Sequence, residues 1–204
     1  MRKLLLLCVL LILVCYIYGC KPNLSPQGLL RYVEYLEKIK LRGIADSFFV
    51  EVTIGDSGGK DFCKIALIPS RLGACAQGMS FCYGEIKGSL KKASGKQEYI
   101  AVVNYAKAHN FIALSDGHAM ETVALFALAE ELPAEEILLK AKERFGQSLE
   151  EDFLRRDTDM RIHLKIISDM SGNAYYYAGF AGGNKYYAAM YDTVNKNIIA
   201  DYVK

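Results

Sequence analysis

The sequence predicts an α+β fold: an N-terminal helix and β-hairpin, central helices, and a C-terminal antiparallel β-meander packed against the helices. Three patterns carry that expectation. Alternating apolar and polar residues, the mark of a strand with one buried face, gather at residues 48–67 and again after residue 160. Apolar residues at helical spacing fill the first segment and the middle of the chain. Strands grouped at the two ends, with helices between, differ from the regular strand–helix alternation of a parallel α/β sheet.

Each element has its own signal. Ser25 followed by Pro26 reads as an N-cap and a proline at the first helical position. Leu29, Tyr32, Val33, Leu36 and Ile39 continue at helical spacing, and Gly43 closes a helix expected over 26–42. Phe48, Val50, Val52 and Ile54 alternate with Phe49, Glu51 and Thr53, and Cys63, Ile65 and Leu67 alternate in turn. Gly55-Asp56-Ser57-Gly58-Gly59 between them is turn chemistry, so the pair reads as a hairpin. A further strand is expected over 81–86.

Ser94 and Gln97 fit a capping box that opens a helix to His109. Ser115 caps another over 116–132, with Met120, Val123, Ala124, Ala127 and Leu128 along one stripe. Pro133 starts the next helix, which ends at Gly146, and Ser148 with Glu151 forms a second capping box before Phe153 and Leu154. Met160, Ile162, Leu164 and Ile166 then alternate with Arg161, His163, Lys165 and Ile167. Turn signals at 171–173, 182–184 and 195–197 divide residues 160–204 into a four-strand meander.

The beginning of the chain carries an address. Met1-Arg2-Lys3 precedes an apolar run from Leu4 to Tyr18, which ends in Ile17-Tyr18-Gly19-Cys20. A helix rises 1.5 Å per residue, so about 30 Å of hydrocarbon needs roughly 20 residues. The run is shorter than that, and Lys21-Pro22 stops it, which fits the apolar region of an export signal. An uncleaved N-terminal anchor is the alternative; both readings put the rest of the chain across the inner membrane.

Ile17-Tyr18-Gly19-Cys20 resembles the lipobox of bacterial lipoproteins. The resemblance implies cleavage after Gly19 and a diacylglyceryl group on the Cys20 thiol, with Cys20 as the new N-terminus. Residues 1–19 are then a signal peptide, 20–25 a lipidated N-terminus and tether, and 26–204 a single α+β domain. One acyl chain holds a protein only marginally, at about 0.8 kcal/mol per buried methylene, whereas two or three hold it stably. Lys21 rather than aspartate follows Cys20. In a two-membrane cell, the resemblance therefore implies the outer membrane, facing the periplasm.

Composition narrows the function. Removing residues 1–19 takes Arg2 and Lys3 away and leaves 23 basic against 23 acidic residues, so the remaining domain is formally neutral. No basic run points to nucleic acid. Cys8 and Cys15 leave with the leader. With Cys20 lipidated, Cys63, Cys75 and Cys82 remain, and one disulfide and one free thiol are expected in an oxidising compartment. Gly73 and Gly78 ease a small loop closed by Cys75–Cys82; three buried, reduced cysteines are the alternative.

Two motifs resemble enzyme signatures and fail on context. The letters around Ser57 are similar to the nucleophile segment of chymotrypsin-like proteases, where the catalytic histidine precedes the serine; here His109, His118 and His163 all follow it. They also match a nucleophile elbow, which needs a helix after the serine, whereas residues 62–68 read as a strand. A cysteine–histidine hydrolase is the stronger enzymatic alternative, with Cys82 as thiol and His118, beside Asp116, as base. The histidines stand 9 and 45 residues apart, without the spacing of a metal site, and no cofactor motif is present.

Half of the 14 tyrosines fall in the last 30 residues. Alternation sends Tyr175 and Tyr177 to one face of a strand and Tyr176 to the other. Tyr175, Tyr177, Tyr186 and Tyr187 are the candidate binding residues, because tyrosine offers broad apolar contact and a hydroxyl to a protein or glycan partner. Cross-strand pairing for sheet stability is the competing reading. The sequence thus describes an exported, lipid-anchored envelope protein with a non-catalytic binding, scaffolding or assembly role.

Overall fold

The computed structural model describes residues 24–204 apart from 72, 130, 155–158, 170 and 171. The leader, Gly19 and Cys20 lie outside the described residues. Strands make up 53% and helices 15% of the described residues, so the helices expected over 94–109 and 116–132 are corrected to strands and turns. The order is α1 (Pro26–Leu30), β1 (Val33–Ala45), β2 (Phe48–Ser57), β3 (Lys60–Pro69), β4 (Ser80–Tyr83), β5 (Ile86–Ser89), β6 (Lys91–Lys92) and β7 (Tyr99–Val103). It continues with β8 (Phe111–Ser115), β9 (Met120–Ala124), β10 (Phe126–Ala127), α2 (Ala134–Leu154), β11 (Arg161–Ser168), β12 (Ala174–Gly182), β13 (Lys185–Asp192) and β14 (Asn197–Val203).

A ten-stranded mixed sheet runs β14-β13-β12-β11-β1-β2-β3-β7-β6, with β10 also paired to β1. A four-stranded sheet runs β5-β4-β8-β9. β11 to β14 form the antiparallel meander, joined to the rest by a parallel pairing of β11 with the start of β1. Both hydrophobic cores use the same face of the large sheet. Over β11–β13, Ile137, Leu138, Phe145 and Leu149 of α2 pack on Ile162, Leu164, Phe180 and Tyr187. Over β1, β2 and β3, the small sheet packs Phe81, Ile112, Leu114 and Val123 on Leu41, Val52, Ile54 and Ile65.

The corrections have local causes. The helix expected over 26–42 stops at Leu30: Ser25 Oγ accepts the Gly28 N–H at 3.0 Å as an N-cap should, but β1 follows at once. Residues 33–41 fit periods of both 3.6 and 2, and pairing with β2 along most of β1 decides for the strand. Gly43 is no helix stop; a Cβ there would fall 2.4 Å from the Ala124 carbonyl oxygen, because the small sheet crosses β1 at that point. The capping box at Ser94 lies in a tight turn, where Ala93 N–H donates to the Glu98 carbonyl at 2.8 Å. In the segment expected to be the helix 116–132, the Asp116 carboxylate accepts the N–H groups of His118 and Ala119, both at 2.8 Å, and closes the β8–β9 hairpin. The helix after Pro133 forms, and Gly146, at φ 48°, kinks α2 where a stop was expected.

Candidate functional site

The large sheet divides at β1. Near its start β1 pairs with β11, but at residues 41–42 its partner on that side is β10. The diverging end of β11 is held by β1 side chains. Glu37, 8% exposed, accepts the Ile166 N–H at 2.8 Å and the Tyr35 hydroxyl at 3.1 Å. Lys40 Nζ donates to the Ile166 carbonyl at 2.8 Å, so side chains from β1 serve both backbone groups of one residue. Arg42 donates to Ser168 Oγ at 2.7 Å, to the Asp169 carbonyl at 3.1 Å and to Glu51. This clamp fixes the tyrosine-bearing meander against the rest of the domain.

Neither core includes a residue from the other face of the large sheet. That face presents Tyr35, Tyr177, Tyr186 and Tyr202 with His163 and Lys165 between them, as the strand registers place them. Tyr35 stacks on Phe62 with ring centroids 5.1 Å apart, meets the His163 ring edge at 6.0 Å, and has Lys165 Nζ over it at 5.6 Å. Burial, reinforced by the charge and hydrogen bond of Glu37, holds the Tyr35 hydroxyl well above its usual pKa. Tyr177 lies along the sheet over Gly179, where a Cβ would meet its hydroxyl at 2.7 Å. Tyr186 and Tyr202 form a tilted pair 6.5 Å apart. Gly179, with no side chain beneath the Tyr177 ring, lets that ring lie along the sheet rather than stand away from it.

The candidate binding residues divide. Tyr177 and Tyr186 are on the platform, and Tyr175 is at its edge, where it also lines a cavity of about 810 Å³ with Tyr176, Tyr191, Glu136, Asp192 and Lys196. Tyr187 is 2% exposed and belongs to the helix–sheet core. It donates to Asp152, and burial together with that carboxylate pushes its pKa up to about 12. Tyr191 donates to Glu136 at 2.6 Å and is likewise raised to about 12, burial first. Tyr35 and Tyr202 escaped the sequence reading. Tyr35 stood in an expected helix, and β14 gave no sign of which strand it would join.

The cysteines stay separate. Cys63, Cys75 and Cys82 are free thiols, respectively buried, exposed and partly exposed. Cys75 and Cys82, the expected disulfide partners, have different neighbours. Cys75 Sγ accepts the Tyr99 hydroxyl at 3.0 Å, and that bond, with the Gln77 N–H and Lys92, lowers the thiol pKa. Cys82 points to the Gly84 carbonyl at 3.8 Å. His118 sits in the β8–β9 turn, beyond the Ser80–Ser115 pair and at the opposite end of β4 from Gly84, so Cys82 and His118 are not brought together. Ser57 ends β2 in the hairpin turn. Among the described residues, no three His, Cys, Asp or Glu side chains are placed to hold a metal ion.

The fold is therefore a two-layer, mainly β domain, with a helix and a small sheet on one face and an aromatic platform on the other. Comparison with known proteins finds no matching family model, no matching curated protein and no matching solved structure.

Proposed function

We propose that this is an exported envelope protein, anchored through lipid on Cys20, which binds a protein or glycan partner on its open tyrosine face and performs no chemistry itself. The observation that carries the reading is the platform of Tyr35, Tyr177, Tyr186 and Tyr202, which neither core uses. Flat aromatic area with hydroxyls at its rim suits sugar rings and interface side chains alike. The leader and the lipobox-like tetrapeptide support the anchor and the address: the bacterial cell envelope, with the outer membrane facing the periplasm as the favoured location.

The test uses Tyr177→Ser with Tyr186→Ser in the full chain, offered peptidoglycan fragments in one arm and envelope protein extract in the other. The double variant should keep the wild-type unfolding transition and lose the ligand retained by wild type and by Tyr187→Phe. Retention by the double variant, or loss of folding and binding together, rejects the platform. Intact mass of the membrane-extracted protein tests the anchor separately, through loss of residues 1–19 and a gain of acyl mass on Cys20.

A further inference from the structure

The two edges of the large sheet are built differently. The β6 edge is two lysines long, Lys91–Lys92, a short charged edge of the kind that discourages strand pairing. The β14 edge has seven residues, Asn197–Val203, and among the described residues no strand lies beyond it. Ile199, Tyr202 and Val203 are 47%, 54% and 51% exposed. The one charge within the strand, Asp201, is bound by Arg144 of α2 at 2.9 Å and does not guard the edge.

The backbone of β14 is ready for a partner. Tyr186 and Lys204 exchange both of their hydrogen bonds, at 3.1 and 2.9 Å. In an antiparallel ladder such pairs alternate with pairs that exchange none, so Tyr202, opposite Ala188, also turns its N–H and C=O toward β13. Asp201 and Val203 therefore turn theirs outward. The only irregularity in the β13–β14 register lies at Met190/Tyr191, away from this segment.

We infer that β14 pairs with β14 of a second copy, antiparallel about a two-fold axis at Tyr202. In that register Asp201 of one copy exchanges two hydrogen bonds with Val203 of the other, twice over by symmetry. Tyr202 faces its own equivalent in a non-hydrogen-bonded pair, with Cα atoms about 4.5 Å apart, where aromatic side chains interact most closely. The register sets each Asp201 beside a valine rather than another aspartate. It also joins the two open faces into one continuous surface through the Tyr186–Tyr202 pairs. A second copy is the occupant because the strand is self-complementary in this register, and tethering to one membrane would raise the effective concentration of copies for one another. The tethering argument rests on the lipid anchor proposed above, whereas the strand geometry and its test do not depend on a partner for the platform.

Oxidative cross-linking of the full chain, in a Cys75→Ser, Cys82→Ser background, tests it. Tyr202→Cys should form a covalent dimer readily, since its Cα separation suits a disulfide. Ala200→Cys, on an equally open part of the strand but about 13 Å from its equivalent by strand rise, should not. Adding Val203→Pro, which removes an outward N–H and leaves the β13 ladder its donors, should abolish the Tyr202→Cys dimer while the circular dichroism spectrum stays the same. Equal cross-linking at 200 and 202, no dimer at 202, or a chain that stays monomeric in sedimentation at every concentration overturns the inference, and the last result leaves the edge to a foreign strand. If Val203→Pro unfolds the chain, the contrast between positions 200 and 202 still decides.

Discussion

Replacing Glu37 should loosen the meander from the rest of the domain. Its carboxylate is the acceptor for the Ile166 N–H at 2.8 Å and for the Tyr35 hydroxyl at 3.1 Å, in a site where Glu37 is 8% exposed. In Glu37→Ala the Ile166 N–H keeps no acceptor at the point where β11 leaves β1, a loss of about 1–3 kcal/mol for a buried donor left unsatisfied. Tyr35 is partly exposed and can turn to water, so its lost bond adds about 1 kcal/mol at most. The sum is about 1–4 kcal/mol. For a domain of this size 1 kcal/mol moves Tm by roughly 2–4 °C, so Tm should fall by roughly 2–16 °C. Glu37→Gln keeps an oxygen for Ile166 and should lose about 1 kcal/mol or less. Urea unfolding and a thermal melt of the three proteins measure this. A spectroscopic titration adds a readout that packing alone would not move: in Glu37→Gln the Tyr35 hydroxyl should ionise at lower pH, because the carboxylate that helps to raise it is gone, although burial, the larger cause, remains. Equal losses in the alanine and glutamine variants, or a loss under about 0.5 kcal/mol in both, would refute the clamp.

Two further outcomes rest on titrating groups. Cys75 should alkylate with an apparent pKa below that of an ordinary thiol, and Tyr99→Phe should raise it, because the Tyr99 hydroxyl donates to the sulfur at 3.0 Å and favours the thiolate; iodoacetamide rates against pH, read by peptide mass, show either result. Tyr187 and Tyr191 ionise near 12 in the folded chain and near 10 when unfolded, so their contribution to stability is complete below about pH 10 and is lost as pH rises through about 12. Unfolding midpoints across that window should drop, and Tyr187→Phe with Tyr191→Phe should flatten the drop; a slope unchanged in the double variant would remove these hydroxyls as its cause.

Local signals in this chain were legible where one physical arrangement answers to them. Ser25 caps α1 through the bond its position predicts, and the glycine-rich turn joins Phe48–Ser57 to Lys60–Pro69. The same signals misled where two arrangements share them. A side-chain oxygen that accepts N–H groups two and three residues ahead is the chemistry of an N-cap and equally of a β-turn. Ser115, the expected cap, accepts the Gly117 N–H at 3.1 Å, Asp116 accepts those of His118 and Ala119, and the result is a hairpin. Gly117, at φ 92°, favours the turn within the segment, and Phe81 and Leu114, directly opposite each other on neighbouring strands and both buried in the core beneath the large sheet, hold the strands that flank it.

The candidate site was half legible for a related reason. Alternation assigns side chains to faces without naming the neighbouring strand. It placed Tyr175 and Tyr177 together and Tyr176 apart, which the register of β12 bears out. It had no means of adding Tyr35, because the bond that brings β1 to β11 joins Glu37 to a residue 129 positions away. Nor could it separate Tyr186 from Tyr187 by role, since only the packing of α2 says which face of β13 is core. A binding surface assembled across several strands is a property of pairing order. In this chain that order turns on a short parallel contact and three side chains, Glu37, Lys40 and Arg42, that stand in for the ladder where it ends. If those three hold the halves together, weakening any one of them should disturb the platform before it disturbs either core, because both cores lie on the opposite face.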